Sequence, residues 1–234
     1  MIVKKKVLII VGIIIVLVIG ICLVLFSGIL NNDAKTFKNE YESLNGEKSK
    51  SGKEHPMVEI DSDNIVKYAT IDEVVNIVEE GTGVIYFGYS DCPWCRNAVP
   101  VLLDAASSTS LDTIYYLDMK EVRDIKKLGK DNKIVTEYEG AKGYDKLLKA
   151  LDEILEPYYL EDKEGNTYDT NEKRVYVPLV VFVLDGEIID YHLDTVESQE
   201  NPYEELNQEQ YDELYEIYSE GIHEVLGDLC DERC

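Results

Sequence analysis

The feature that most constrains this chain of 234 residues is a pair of cysteines, Cys92 and Cys95, separated by Pro93 and Trp94. The apolar run at residues 84–87 predicts a short buried strand just before the pair, and the residues after it predict a helix that begins at Pro93. Proline suits the first position of a helix because it has no N–H group to leave unpaired. The pair is therefore expected between the end of a strand and the amino end of a helix.

Two cysteines in this position have a reactivity that isolated thiols lack. Unpaired backbone N–H groups and the positive end of the helix dipole both favour the thiolate, which is the species that attacks disulfides. The two-residue gap lets Cys95 approach Cys92 closely enough to form a disulfide and to resolve a mixed disulfide with a substrate. We therefore expect Cys92 to be the nucleophile and Cys95 the resolving thiol.

A static disulfide and half of a zinc site are the two alternatives for this pair. A structural zinc site needs four ligands, and the other close pair, Cys230 and Cys234, begins about 135 residues after Cys95. We expect no metal and no cofactor. Residues four apart share a face of a helix, so Cys230 and Cys234 are expected to form either a terminal disulfide or a second dithiol that exchanges with the first.

Two further features follow the cysteine motif in the sequence. Pro100 stands five residues after Cys95, and Val177-Pro178 precedes two apolar runs joined by Asp185-Gly186. With the motif, these features make most of residues 65–229 resemble the thioredoxin-like family. The likeness extends to membrane-anchored bacterial thiol–disulfide oxidoreductases and bacteriocin transport accessory proteins.

The resemblance implies roles for several residues. Pro100 would kink the active-site helix, and Pro93 would support its first turn. Pro178 would be a cis proline that faces the cysteines, and together with Val177 it would bind the substrate backbone. Trp94 would add an apolar contact at the rim of the site.

The sequence departs from the family at two places. Thioredoxins keep a buried acid six residues before the first cysteine as a proton acceptor for the resolving thiol, and that position is Tyr86 here. The residues between the cysteines are Pro-Trp rather than Gly-Pro. Asp91 opposes thiolate formation and Arg96 favours it, and we expect solvent to screen both charges.

The first 30 residues have a separate composition. Residues 7–26 are apolar, with no charge and no proline, and twenty helical residues span about 30 Å, the thickness of a bilayer's hydrocarbon core. A cleaved signal peptide would have a shorter apolar region, and a lipoprotein anchor at Cys22 would need a small residue where Ile21 stands. We therefore predict an uncleaved membrane anchor in residues 1–30. The lysines at positions 4–6 place its amino end in the cytoplasm.

The rest of the chain is predicted to form a linker and one domain. Residues 31–56 are polar and are predicted to form a flexible, solvated spacer with weak helical character around residues 37–44, and residues 57–234 suffice for one α/β domain. We expect a thioredoxin-like fold, with a central mixed sheet flanked by helices and a helical insertion at about 119–174. Strands are expected at residues 65–69, 84–87, 113–117, 179–184 and 187–193, and helices after Thr70, after Cys92, and at 144–155 and 207–229.

The net charge of residues 31–234, the part that follows the predicted anchor, excludes one class of partner. Without the lysines at 4–6, 20 basic residues face 47 acidic ones, a net charge of 20 − 47 = −27 against −24 for the whole chain. Nucleic-acid binding depends on clustered Lys and Arg, so we expect no nucleic acid as a partner. The expected partners are protein thiols and disulfides, together with a redox partner that no motif identifies.

The function predicted from the sequence is thiol–disulfide exchange with protein substrates, outside the cytoplasm and on a membrane anchor. Oxidase, reductase and isomerase chemistry use the same two thiols, so the sequence leaves the direction of electron flow open. The alternatives are a non-catalytic accessory protein for peptide or bacteriocin export and a structural protein whose cysteines form a static disulfide.

Overall fold

The structure, a computed structural model, describes residues 32–227. Helix α1 covers residues 32–42, and the other helices are α2 (Ile71–Glu80), α3 (Pro93–Ser107), α4 (Tyr144–Ala150) and α5 (Gln208–Leu226). The strands are β1 (Val66–Tyr68), β2 (Gly83–Gly88), β3 (Ile114–Asp118), β4 (Ile125–Leu128), β5 (Ile134–Tyr138), β6 (Glu156–Glu161), β7 (Thr167–Arg174), β8 (Leu179–Leu184) and β9 (Glu187–Leu193).

Five of these strands form the central sheet, in the order β1-β3-β2-β8-β9. Strands β1, β3 and β2 are parallel, whereas β8 runs antiparallel to β2 and β9 antiparallel to β8. All six residues of β2 are buried, as expected for a strand covered on both faces of the sheet. Helix α3 packs against α5, and α2 packs against α4. The expected α/β thioredoxin-like fold, with a mixed sheet closed by a hairpin, is confirmed.

Local chemistry explains how these elements begin and turn. Thr70 and Glu73 form the reciprocal capping box at the start of α2 that the sequence predicts. The turn between β8 and β9 contains Asp185 and Gly186, with φ values of 50° and 79°. A Cβ at position 186 would lie 2.6 Å from the carbonyl oxygen of Glu79, so this close approach requires glycine.

The segment predicted as a flexible spacer, residues 31–56, is structured over its described part, and that expectation is wrong. Ala34, Phe37 and Tyr41 lie on one face of α1 and are at most 1% exposed. Their spacing of three and four residues is that of an amphipathic helix. The sequence indicated only weak helical character around residues 37–44, because many charged residues surround this short pattern. Helix α1 therefore belongs to the hydrophobic core that also contains Tyr86 and Tyr116.

The insertion at 119–174 is mainly composed of hairpins. The sequence pattern predicted a helical insertion, and that prediction is wrong. Strands β4 and β5 form one antiparallel pair, and β6 and β7 form another, each separate from the central sheet. Helix α4 lies between them and ends at Ala150, five residues before its predicted end. The apolar residues of β4 and β5 stay exposed because nothing in the described chain covers them. Those more than a third exposed are Ile125, Ile134, Val135 and Tyr138.

Two sequence predictions fall on residues that the structure does not describe. The anchor at residues 7–26 precedes the described part, and Cys230 and Cys234 follow it. Within residues 32–227, no helix combines the length and apolar character that crossing a bilayer requires.

Candidate active site at the cysteine pair

The cysteine pair lies where the sequence places it, in the connection from β2 to α3. Cys92 is the N-cap residue of α3, and Pro93 is the first residue of the helix. The Cys92 sulfur accepts a hydrogen bond from the backbone N–H of Cys95, with N and Sγ 3.3 Å apart. That N–H is one of the donors that a helix leaves unpaired at its amino end, so the helix itself stabilises a thiolate at Cys92. Pro100 lies inside α3, five residues beyond Cys95.

The two thiols have opposite acidities. Both are free, and Cys92 is 4% exposed whereas Cys95 is completely buried. A hydrogen bond from the Cys95 side chain lowers the pKa of Cys92, whereas burial raises it. The backbone N–H groups of Cys95 and Trp94 and the charge of Arg123 lower this pKa further. Burial raises the pKa of Cys95 well above its usual value, and the neighbouring Cys92 raises it further. The thiolate is therefore favoured on Cys92, the outer of the two.

The peptide bond between Val177 and Pro178 is cis and lies opposite Cys92. The carbonyl oxygen of Val177 is 3.9 Å from the Cys92 sulfur, and the carbonyl oxygen of Pro178 accepts a hydrogen bond from Asp194 N at 2.9 Å. The structure thus brings together Cys92, Cys95, Val177 and Pro178, as the resemblance implies.

Trp94 is half-buried at the edge of this site. It borders a groove of about 430 Å³ on the side of β9 and the loop that follows it. His192, Asp194 and Glu197 also line the groove. Burial raises the pKa of the Asp194 carboxyl, with a further rise from Glu156. Trp94 therefore lies at the rim, beside a surface with an acidic character.

Arg96 is not solvated, contrary to expectation, but 1% exposed. Its guanidinium donates to the carbonyl oxygens of Pro56 at 2.7 Å, Tyr41 at 2.7 Å and Ser90 at 3.2 Å, and to Asn45 Oδ1 at 2.6 Å. None of the ion pairs within residues 32–227 includes this arginine. Arg96 therefore connects α3 to the segment that contains α1, and these backbone carbonyls replace its hydration.

Two charges near the pair have partners that the sequence did not reveal. Asp91 forms an ion pair with Lys120 at 3.0 Å, which offsets its effect on the neighbouring thiol. Arg123 donates to the hydroxyl of Tyr89 at 2.9 Å and lies over the ring of that tyrosine. Arg123 belongs to the insertion, and no local pattern marks it as a neighbour of the cysteines.

Tyr86 stands where the family has a buried acid, and other aromatic rings surround it. Its hydroxyl is 2.9 Å from the hydroxyl of Tyr41, and its ring stacks on Tyr116 with centroids 5.4 Å apart. Burial raises the pKa of Tyr86 well above its usual value, and so does the nearby Cys95. Tyr41 was not predicted from the sequence as a neighbour of this position. The apolar spacing of Ala34, Phe37 and Tyr41 was the signal that could have revealed it.

In the part of the chain that the structure describes, no group of three or more His, Cys, Asp or Glu side chains is arranged to bind a metal ion. The predicted second pair, Cys230 and Cys234, lies beyond that part.

The likeness that comparisons with known proteins find is structural. No protein-family model matches the chain, and no curated protein matches it significantly. Among solved structures, the crystal structure of thioredoxin from Aeropyrum pernix is similar over 68% of this chain and 86% of that one, at 12% identity and a TM-score of 0.35. The fold assignment rests on the strand order and strand directions of the central sheet.

Proposed function

We propose that this protein is a thiol–disulfide oxidoreductase that exchanges disulfides with protein substrates. The observation that carries the proposal is the position of Cys92. Its sulfur caps the amino end of α3 and lies 3.9 Å from the carbonyl oxygen of Val177, beside the cis proline. A stabilised thiolate thus faces a stretch of backbone at which an extended substrate can bind.

The chemistry follows from the difference between the two thiols. The Cys92 thiolate attacks one sulfur of a substrate disulfide, and the other substrate sulfur leaves as a thiolate. Cys95 then attacks Cys92, which releases the first substrate sulfur and leaves a Cys92–Cys95 disulfide. The reverse sequence oxidises a substrate dithiol. The reduction potential of the pair sets the direction.

We also propose that residues 7–26 anchor the protein in the cell membrane and that the domain faces the outside. The apolar length of this segment and the lysines at 4–6 support this topology. An oxidising compartment also suits Cys230 and Cys234 as a terminal disulfide or as a second exchanging dithiol. Replacement of both with Ser distinguishes the two roles, because unchanged turnover would contradict the exchange role.

Activity assays on purified full-length protein in detergent test the proposal. Reduction of insulin and oxidative refolding of a reduced disulfide protein cover both directions of exchange. Cys92→Ser should abolish both activities, because the attacking sulfur is lost. The matched control is Cys22→Ser, which removes a thiol from the apolar segment 7–26 and leaves the Cys92–Cys95 motif intact. Retained activity of Cys92→Ser would refute the proposal, and a Cys92–Cys95 bond that physiological thiols leave intact would indicate a static disulfide.

A further inference from the structure

The groove beside Trp94 adjoins the cysteine pair, and the exchange chemistry itself gives it no role. Its volume is about 430 Å³, and its walls include the end of β9 and the loop that follows. Asp194 joins these walls to the reaction centre, because its backbone N–H donates to the carbonyl oxygen of Pro178 at 2.9 Å. Val177, the residue before Pro178, has its carbonyl oxygen 3.9 Å from the Cys92 sulfur. A substrate whose sulfur reaches Cys92 therefore has its neighbouring residues close to the groove.

The loop after β9 is held in place by buried polar side chains. Thr195 and Gln199 are 2% and 5% exposed. Thr195 Oγ1 donates to Gln199 Oε1 at 2.5 Å, and Gln199 Nε2 donates to the carbonyl oxygen of Glu204 at 3.0 Å. His192 Nε2 donates to the carbonyl oxygen of Thr195 at 2.5 Å. The charged side chains of this loop therefore project from a fixed backbone.

Two carboxylates of the groove have no cation beside them. Asp194 and Glu197 line the groove, and both are exposed. Within the described chain, neither belongs to an ion pair, and no lysine or arginine lines the groove. By contrast, Asp91, which precedes Cys92, is paired with Lys120 at 3.0 Å. The groove thus presents negative charge that no neighbouring side chain neutralises.

An indole and two carboxylates together suit one kind of side chain. The apolar stem of a lysine or arginine packs on an aromatic ring such as that of Trp94, and its charge is attracted to the face of the ring. The charged end of the same side chain can hydrogen-bond to a carboxylate. An acidic side chain in this place would be repelled, and a neutral one would gain no ionic interaction.

We propose that the groove binds a lysine or arginine beside the reacting cysteine of the substrate, and that Asp194 and Glu197 determine this preference. The inference rests on the proposed exchange function, and it names the substrate class as protein disulfides with basic residues next to the cysteine.

The exchange reaction keeps its balance with such a substrate. The Cys92 thiolate bonds to one substrate sulfur, and the other leaves with the bonding electron pair. Cys95 loses its proton and bonds to Cys92, which releases the first substrate sulfur. The substrate disulfide is reduced to two thiols, which take up protons from solvent in place of those that the cysteine pair loses. The pair is oxidised by two electrons.

Peptide disulfides that differ in one residue type measure the preference. The probes are disulfide-linked homodimers of pentapeptides with Cys at the centre, Ala at both ends, and Lys, Gln or Glu on both sides of Cys, so that either direction of binding is covered. The protein is the full-length chain with Cys22, Cys230 and Cys234 replaced by Ser, reduced and in detergent. Chromatography after acid quenching quantifies the released peptide thiol.

The ratio of the rates with the Lys and Glu peptides is the quantity compared. A charged neighbour also alters the intrinsic reactivity of a disulfide, so this ratio is divided by the ratio that β-mercaptoethanol gives with the same peptides. The corrected ratio should be about ten in the parent protein, and Asp194→Asn with Glu197→Gln should lower it about fivefold, because exposed ion pairs are individually weak. Asparagine suits position 194, where φ is 67°, because Asn and Asp both tolerate the left-handed region.

Asp185→Asn with Glu187→Gln is the matched control. It removes the same two charges and again places asparagine at a positive φ, here 50°, but in and beside the turn between β8 and β9. That turn lies at the opposite end of the sheet from the cysteine pair, because Val183 pairs with Gly83 at the start of β2 and Cys92 follows the end of β2. The control should leave the corrected ratio within about twofold of the parent value.

Three results would overturn the inference: a corrected ratio near one in the parent protein, an unchanged ratio in the groove variant, or an equal fall in the control variant. The last would show that net charge alone attracts the basic peptide. Release of no thiol from any of the peptides would instead overturn the proposed exchange function.

Discussion

Two segments are added to the central sheet, and they differ in what they contribute to the site. The amino-terminal segment, residues 32–64, buries Phe37 and Tyr41 in the main core and supplies backbone acceptors to Arg96. The insertion, residues 119–174, builds two small sheets of its own and leaves apolar residues of β4 and β5 exposed. Both segments are polar in composition. Apolar residues at helical spacing, and not average polarity, decide which parts join the core, since α4 of the insertion also buries Tyr144 and Leu147 there whereas β4 and β5 stay outside it.

The largest expected difference between the segments is in core packing. Phe37 is 1% exposed and contacts the rings of Tyr41, Tyr86 and Tyr116. Phe37→Ala should lower the free energy of unfolding by about 3–5 kcal/mol, because it leaves a cavity among these rings. The control is Val135→Ala in β5, which is 44% exposed and should cost about 0.5 kcal/mol or less. Urea unfolding of the reduced protein measures both, and equal losses would contradict the assignment of α1 to the core.

The next difference concerns two buried arginines. Arg96 makes four hydrogen bonds, whereas Arg174, in β7, makes one to the carbonyl oxygen of Asp124 at 3.2 Å. Within the described residues, Arg174 Nη1 has no hydrogen-bond partner. Arg96→Lys should cost about 2–4 kcal/mol, because an ammonium cannot reach all the acceptors that the planar group reaches.

Arg174→Lys is the matched control for that change. It should cost only about 1 kcal/mol, since lysine keeps the positive charge of the 3.9 Å ion pair with Asp124, and the change removes one hydrogen bond and the contact with the Tyr158 ring. Urea unfolding again provides the measurement. A loss at Arg174 as large as that at Arg96 would show that the insertion is anchored as firmly as the amino-terminal segment.

A third difference lies between the two thiols of the pair, since Cys95 is completely buried, and so sealed from solvent, whereas Cys92 is 4% exposed. The pKa of Cys92 is lowered, so its thiolate persists to lower pH than that of an ordinary cysteine. The rate of alkylation by iodoacetamide should therefore reach half its maximum below about pH 8.5. Cys95 should stay unmodified over the same range, because its raised pKa keeps it a thiol. Peptide mass spectrometry assigns the modified residue, and rapid alkylation of Cys95 would contradict the sealed site.

The smallest expected effects concern surface ion pairs. Lys127 and Glu137 join β4 to β5 at 2.5 Å, but both side chains are more than half exposed. Lys127→Ala should change the free energy of unfolding by about 0.5 kcal/mol or less. Lys38→Ala in α1 should cost more, because Lys38 pairs with Glu42 and also donates to the carbonyl oxygen of Ile60. The two losses would be equal if α1 were as loosely attached as the β4–β5 hairpin.

Much of the fold could be predicted from local patterns. The apolar run of β2, the capping box of α2 and the Asp185-Gly186 turn are each determined by residues next to one another, and the structure has all three. The cysteine pair and Pro178 could be placed through a family resemblance. These features involve short-range chemistry that a single sequence displays.

The remainder depends on contacts between distant parts of the chain. Arg96 looked solvated because its acceptors include Tyr41 and Pro56, which are 55 and 40 residues away. Arg123 comes from the insertion to reach Tyr89, and no pattern in the sequence connects the two. Tyr86 was identified as a departure from the family, but its partner was not, because that partner lies in a segment that composition marks as a spacer.

The most direct test of the central claim is trapping of the mixed disulfide. Full-length Cys95→Ser and Cys92→Ser proteins are each incubated with an oxidised protein substrate, and the products are separated without reductant and assigned by peptide mass spectrometry. Thiol–disulfide exchange through an outer nucleophile predicts a stable adduct on Cys92 in Cys95→Ser, and no adduct on Cys95 in Cys92→Ser. An adduct on Cys95, or no adduct on Cys92, would contradict it.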